Sequence, residues 1–249
     1  MLLTIVQPSY FPPLAHFAKA LCADVVVHAE SFQFRKHDFV HRTAIKTVAG
    51  ARWLSLPILS KAHSHDAIDE MKIDARQPWN EAHLRSLVYN YHNAAWYDYY
   101  ADGLETILKT PQASLGALLT ATNRFLRDQL APAMKVISSR VLPRIPDRTG
   151  RLLAWLEAAH CDSYLLWPHE MSLLEAGRLA ENGIRLERFT YDDRPYYQQF
   201  GAYLPGLGLL DLLLNEGPAA ADWLRCGARR ERAAANGASG LSGTVTRGR

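Results

Sequence analysis

The amino-acid sequence predicts an α/β protein with a mostly parallel sheet, flanking helices and a central helical insertion. Three observations carry this expectation. Two apolar strands flank a helix in the first thirty residues, helical periodicity runs from Pro78 to Leu130, and strand and helix signals alternate again from Leu152 onward. Leu2 to Val6 is a short apolar run dense in β-favouring residues, ended by the turn Gln7-Pro8-Ser9-Tyr10-Phe11-Pro12. Leu14 to Leu21 reads at helical spacing and Asp24 to His28 is a second strand, so the opening is a βαβ unit with a parallel pair. Residues 31 to 47 are polar and basic, Arg52 to Pro57 reads as a strand closed by proline, and a polar loop with His63 and His65 follows.

From Pro78 the apolar positions recur every three or four residues, with breaks near Asn93 and Pro111, which predicts about three helices in a block of about 78–131. Leu152 to Ala159 then reads as helix and Ser163 to Leu166 as strand. Glu170 to Glu181 follows as a helix closed by Asn182-Gly183, and Ile184 to Tyr191 as a strand. Leu209 to Leu214 and Ala219 to Leu224 complete the expected helices, giving a single domain over residues 1–224.

Of the 249 residues, 48% are hydrophobic and 21% charged, the balance of a globular chain with ample core material. No stretch approaches the roughly 20 apolar residues that a membrane helix needs; Asp211 interrupts the best one. The formal charge of +3 is concentrated at the end: residues 225–249 hold six arginines against one glutamate, whereas residues 1–224 carry 22 basic and 24 acidic side chains. That Ala-, Gly- and Ser-rich segment is expected to be a disordered basic tail, and the acidic body argues against a nucleic-acid partner. The opening residues lack a signal peptide's charged and long apolar regions, and three scattered cysteines, Cys22, Cys161 and Cys226, suggest no disulfide framework. A reducing cytoplasm is the expected compartment.

The turn after the first strand lies where ligands bind in open α/β sheets, with a helix start that suits an anion and Gln7 able to donate or accept; it equally reads as a rigid turn packing Tyr10 and Phe11. It matches neither a Walker loop nor a dinucleotide fingerprint, and no cofactor is expected. The stretch from Ser31 to Lys46 interleaves cations and aromatics, and Arg42 and Lys46 could grip phosphate or carboxylate; the alternative is a solvated edge. His37 with His41, and His63 with His65, have metal-type spacing but no third ligand, so no metal is expected. His83, in a helix after Trp79, could act as a general base or be a partly buried helix residue. Asp211 and Asn215 share a helix face and could address one site, or belong to an ordinary amphipathic helix.

Several of these stretches together resemble the WbqC-like family. They are Ile5 to Pro12, Ala23-Asp24, Gln33, His41-Arg42, Ile45-Lys46, Trp53-Leu54, Pro57, Trp79 with His83, Asn123, Tyr196 and Gln198, and Pro205 to Gly217. The resemblance spans about residues 2–224. It implies a cytoplasmic transferase of bacterial O-antigen or other surface-polysaccharide biosynthesis, transferring a glycyl, other aminoacyl or acyl group to an amino sugar. The substrate would be a small molecule such as a nucleotide-linked amino sugar. Among the residues it singles out, Arg42 would hold phosphate or carboxylate, His83 would be the base, and Asp211 would orient a basic partner. Gln7, Tyr10, Gln33, Lys46, Asn123, Gln198 and Asn215 would bind substrate. The other reading is a non-catalytic protein that binds a nucleotide-sugar or a partner enzyme.

Overall fold

Alternation along the first strand sets the layers. Leu3 points with Val25 and Val27 into a core shared with Leu152, Trp155 and Leu156 on one face of the sheet; Leu2 points with Phe17, Leu165 and Phe189 into the core of the opposite face. The structure, a computed structural model, describes residues 1–36, 38–59 and 66–233. In chain order its main elements are β1 (Leu2–Val6), α1 (Leu14–Leu21), β2 (Val25–His28), β3 (Arg42–Thr47), β4 (Gly50–Ser55), α2 (Trp79–Tyr91), α3 (Tyr97–Lys109) and α4 (Leu115–Leu130). There follow β5 (Lys135–Ser138), α5 (Arg148–Ala158), β6 (Ser163–Leu166), α6 (Ala176–Glu181), β7 (Arg185–Tyr191), α7 (Leu209–Glu216), α8 (Ala220–Gly227) and β8 (Ala228–Arg232).

Six strands form one sheet in the order β5-β2-β1-β6-β7-β8, parallel except for β8. The α/β class, the parallel sheet and the helical insertion are therefore as the sequence predicts. From β1 the chain passes to β2 on one side and later returns to β6 on the other, so the strand order reverses between β1 and β6. That reversal opens a crevice outside the strands' carboxyl ends, the place where open α/β sheets hold ligands. Two helix starts near this edge are fixed by side chains: Ser114 accepts from Ala117 N, and Asp147 accepts from Gly150 N at 2.6 Å.

Four elements differ from the sequence reading. The basic stretch contributes β3, which pairs antiparallel with β4 in a separate two-stranded hairpin and buries Thr43, Ala44, Ile45 and Lys46 in succession, the Lys46 ammonium finding an internal partner. β5 is a short edge strand on β2, too brief for its period to show. The helix read over Glu170 to Glu181 is split, with a 3-10 turn at Pro168–Leu173 before α6. The expectation of disorder from residue 225 fails for residues 225–232, since α8 runs to Gly227 and β8 pairs with β7. Part of the segment's charge is matched across the ladder: Arg230 pairs with Glu187 at 3.6 Å and Arg188 with Glu231 at 3.7 Å, and Arg230 also donates to Cys22 O. The rest of the expected tail lies outside the described residues.

Candidate functional site

The turn after β1 is held from every side. Tyr10 N donates to Val40 O (2.9 Å), Thr43 Oγ1 to Phe11 O (2.8 Å), Asn123 Nδ2 to Ser9 O (2.8 Å) and Leu209 N to Pro12 O (2.8 Å). Phe11 is fixed at φ 46°, a left-handed conformation costly for an aromatic residue and maintained only where the surroundings impose it. Gly208 makes this possible, because a Cβ there would overlap Thr43 Oγ1. Tyr10 is fully buried and its hydroxyl is 2.9 Å from His83 Nδ1. The prolines before α1 remove backbone donors from the helix start, so it is a weaker anion cradle than the sequence suggests.

This anchored turn presents Gln7 at the carboxyl edge of the sheet. A cavity of about 860 Å³ opens there at the reversal between β1 and β6. Gln7, His16, Gln33, Trp167, His169 and Glu170 line it, with Arg35, Arg148 and Arg151 supplying positive charge against Asp38. Burial and the neighbouring Arg148 charge push the Arg151 guanidinium below its ordinary value, while its face packs 5.1 Å from the Phe32 ring. Glu170 is fixed by accepting from Trp167 N at 2.7 Å and from the fully buried Lys19 ammonium at 3.3 Å. Burial pushes Lys19 down, against the pull of Glu170. His16, in the first turn of α1, lies against Trp167 and Phe39; burial and the Lys19 charge hold it down to about 4, so it is neutral at pH 7.

A smaller cavity of about 140 Å³ shares Val6, Gln7 and His16 with the large one, so these residues form the wall between the two. His28 and Asn123 line it, and burial together with the Arg127 charge takes His28 to about 4.

The other residues singled out in the sequence lie in packed interior. His83 is buried, with the Tyr10 hydroxyl and the Ser55 backbone against its ring, and burial lowers it to about 4. Asp211 is fully buried at the start of α7 and accepts from Tyr91 Oη at 2.5 Å and Tyr196 Oη at 2.7 Å. Burial raises its carboxyl, opposed by those two hydroxyls and the Lys46 charge. Lys46 donates through Nζ to Ala202 O and through its backbone to Tyr91 Oη. Gln198 closes a loop through two bonds to the Leu204 backbone, and Asn215 bonds Asp211 O and Gln199. Arg42 stacks on Trp53 at 4.6 Å beside Phe39, along a narrow cleft with Gly208 rather than on the large cavity.

The structure thus brings Gln7 and Gln33 to the large cavity and Gln7 and Asn123 to the small one. Tyr10 and His83 brace the turn, and Asp211, Lys46, Gln198 and Asn215 tie the C-terminal segment to the hairpin and to α2. Sequence reasoning missed His16, Lys19, Arg148, Arg151 and Glu170. His16 had a signal, since it lies on the first turn of the helix that follows the expected binding loop; the others depend on how separate strands meet. His37, His63 and His65 lie outside the described residues, and among those described no group of three His, Cys, Asp or Glu side chains has metal-binding spacing.

Comparison with known proteins bears on the whole of this arrangement. The WbqC-like protein family model matches residues 7–223, from the anchored turn to α8. The chain is similar to the uncharacterized protein Rv1507c of Mycobacterium tuberculosis (strain ATCC 25618 / H37Rv), at 31% identity over 223 residues covering 89% of this chain and 96% of the relative. No solved structure matches. Among the described residues no helix is long and apolar enough to cross a membrane. The match begins at Gln7, which lines both cavities, and ends beyond the buried Asp211 network, and on that extent the chain belongs to the WbqC-like protein family.

Proposed function

We propose that the protein is a transferase that binds a phosphate-bearing small molecule, such as a nucleotide-linked amino sugar, in the large carboxyl-edge cavity and transfers an acyl or aminoacyl group to it. The observation that carries this reading is three arginines around an approximately 860 Å³ cavity at the reversal of strand order. Guanidinium groups suit phosphate through charge and paired donors. A role in bacterial surface-polysaccharide biosynthesis and a cytoplasmic location are parts of the same proposal.

In this reading Gln7 is the donor to the oxyanion formed when the acceptor amine attacks the acyl carbonyl, and its fixed turn supplies the preorganisation. His16, neutral at pH 7, takes the proton released by that amine, and the leaving group departs with the carbonyl re-formed. Glu170, oriented by Lys19, positions the amine. His83 and Asp211 act through the scaffold. The test is to incubate the protein with nucleotide-linked amino sugars and acyl donors and follow ligand mass. A mass gain lost in His16→Gln and Gln7→Ala supports the proposal. Tight binding without any mass change would favour the binding-only reading, and turnover unchanged in both variants would refute the assigned roles.

A further inference from the structure

We infer that the small cavity beside Gln7 is a separate binding site for a small carboxylate with a short apolar stem and no ammonium group. The inference rests on the reading of this sheet edge as the ligand site and adds a second, chemically distinct compartment. The cavity floor is apolar, built from Phe17, Ala20, Met134 and Val136. Its volume of about 140 Å³ compares with roughly 10–15 Å³ needed for one water, which suits a molecule of several heavy atoms. Arg124 and Arg127 of α4 line it, and no Asp or Glu does. Asp128 is shared by both arginines, at 3.5 Å from Arg124 and 2.8 Å from Arg127, so one carboxylate faces two guanidiniums and one positive charge is left over.

The remaining polar groups are uncharged and in place. His16 and His28 are neutral at pH 7, and Asn123 spends both amide protons on Ser9 O and Leu119 O, leaving Oδ1 to accept. An anionic head can therefore be met by guanidinium, whereas an ammonium would find Asn123 Oδ1 as an acceptor but no carboxylate in the lining to balance its charge beside the two arginines. That separates a plain short-chain carboxylate from an α-amino acid of the same length, and the apolar floor separates it from an inorganic anion.

Saturation-transfer NMR on the full chain tests this, with butyrate and 2-aminobutyrate as observed probes, inorganic phosphate as a competitor of the butyrate signal, and nucleoside diphosphate as the probe of the large cavity. Butyrate is expected to bind, 2-aminobutyrate and phosphate to bind at least tenfold more weakly, and Arg127→Gln to weaken butyrate about tenfold while leaving the nucleotide unchanged. Arg127 is at a helix surface, and Ala20→Leu offers a second, cavity-filling variant with the same expected loss. Equal binding of butyrate and 2-aminobutyrate, or butyrate binding unchanged in both variants, overturns the inference. Butyrate failing to bind while the nucleotide binds overturns this inference alone; the reverse result overturns the nucleotide reading and leaves the carboxylate site standing.

Discussion

Replacing Asp211 by alanine separates scaffold from chemistry. The carboxylate is fully buried and accepts two tyrosine hydroxyls, from Tyr91 and Tyr196, that are themselves buried. Hydrogen bonds to a charged group contribute about 1.5–3 kcal/mol each, and breaking a buried charged network costs about 3–5 kcal/mol. Taking about 4 kcal/mol, and about 2–4 °C per kcal/mol for a domain of this size, Asp211→Ala should lower Tm by about 8–16 °C. Asp211→Asn keeps one acceptor and should cost roughly half as much, as should Tyr91→Phe or Tyr196→Phe. Urea denaturation followed by tryptophan fluorescence gives the free energies, and nucleotide binding well below the lowered Tm should be retained. An Asp211→Asn protein with unaltered stability that has lost turnover would refute this reasoning and return Asp211 to a catalytic role.

Further outcomes follow from the same geometry. His16, His28 and His83 each have folded pKa values of about 4, below the unfolded value of about 6.5, so between pH 4 and 6.5 the unfolded chain binds more protons. Stability should be complete above pH 6.5 and fall as pH drops toward 4, by up to about 1.4 kcal/mol per pH unit per histidine; His83→Gln should flatten the urea-midpoint profile, and a flat wild-type profile would contradict the assignment. Gly208→Ala should destabilise by about 1–3 kcal/mol through overlap with Thr43, and a double-mutant cycle with Thr43→Ala should recover part of that loss. Truncation after Gly227 removes β8 and uncovers the β7 edge, so Tm should fall by several degrees; an unchanged Tm would show that the ladder adds nothing.

The sheet was legible where the period was long enough or the apolar run dense enough. β1, β2, β6 and β7 are read from apolar runs and the turn residues that end them, and α1 and the helical block from their helical spacing. β3 was hidden because Lys46 is buried on an internal carbonyl rather than solvated, and β8 because cross-strand pairing of Arg230 with Glu187 is invisible until β7 is beside it. Of the residues lining the large cavity, Gln7 and Gln33 are singled out in the sequence, but buried polar residues and cavity-facing ones look alike in a sequence. Tyr10, His83 and Asp211 hydrogen-bond within the packed interior, whereas Arg148 and Arg151 line the cavity from the start of α5, far from β1 in the sequence.

Isothermal titration calorimetry of a nucleoside diphosphate into the full chain, its Arg148→Ala and Arg151→Ala variants, and Arg42→Ala tests the central claim most directly. The account predicts binding that weakens at least tenfold in each cavity variant and stays within about twofold in Arg42→Ala. Binding unaffected by Arg148 and Arg151 but lost with Arg42 would contradict it and move the site to the cleft beside Trp53.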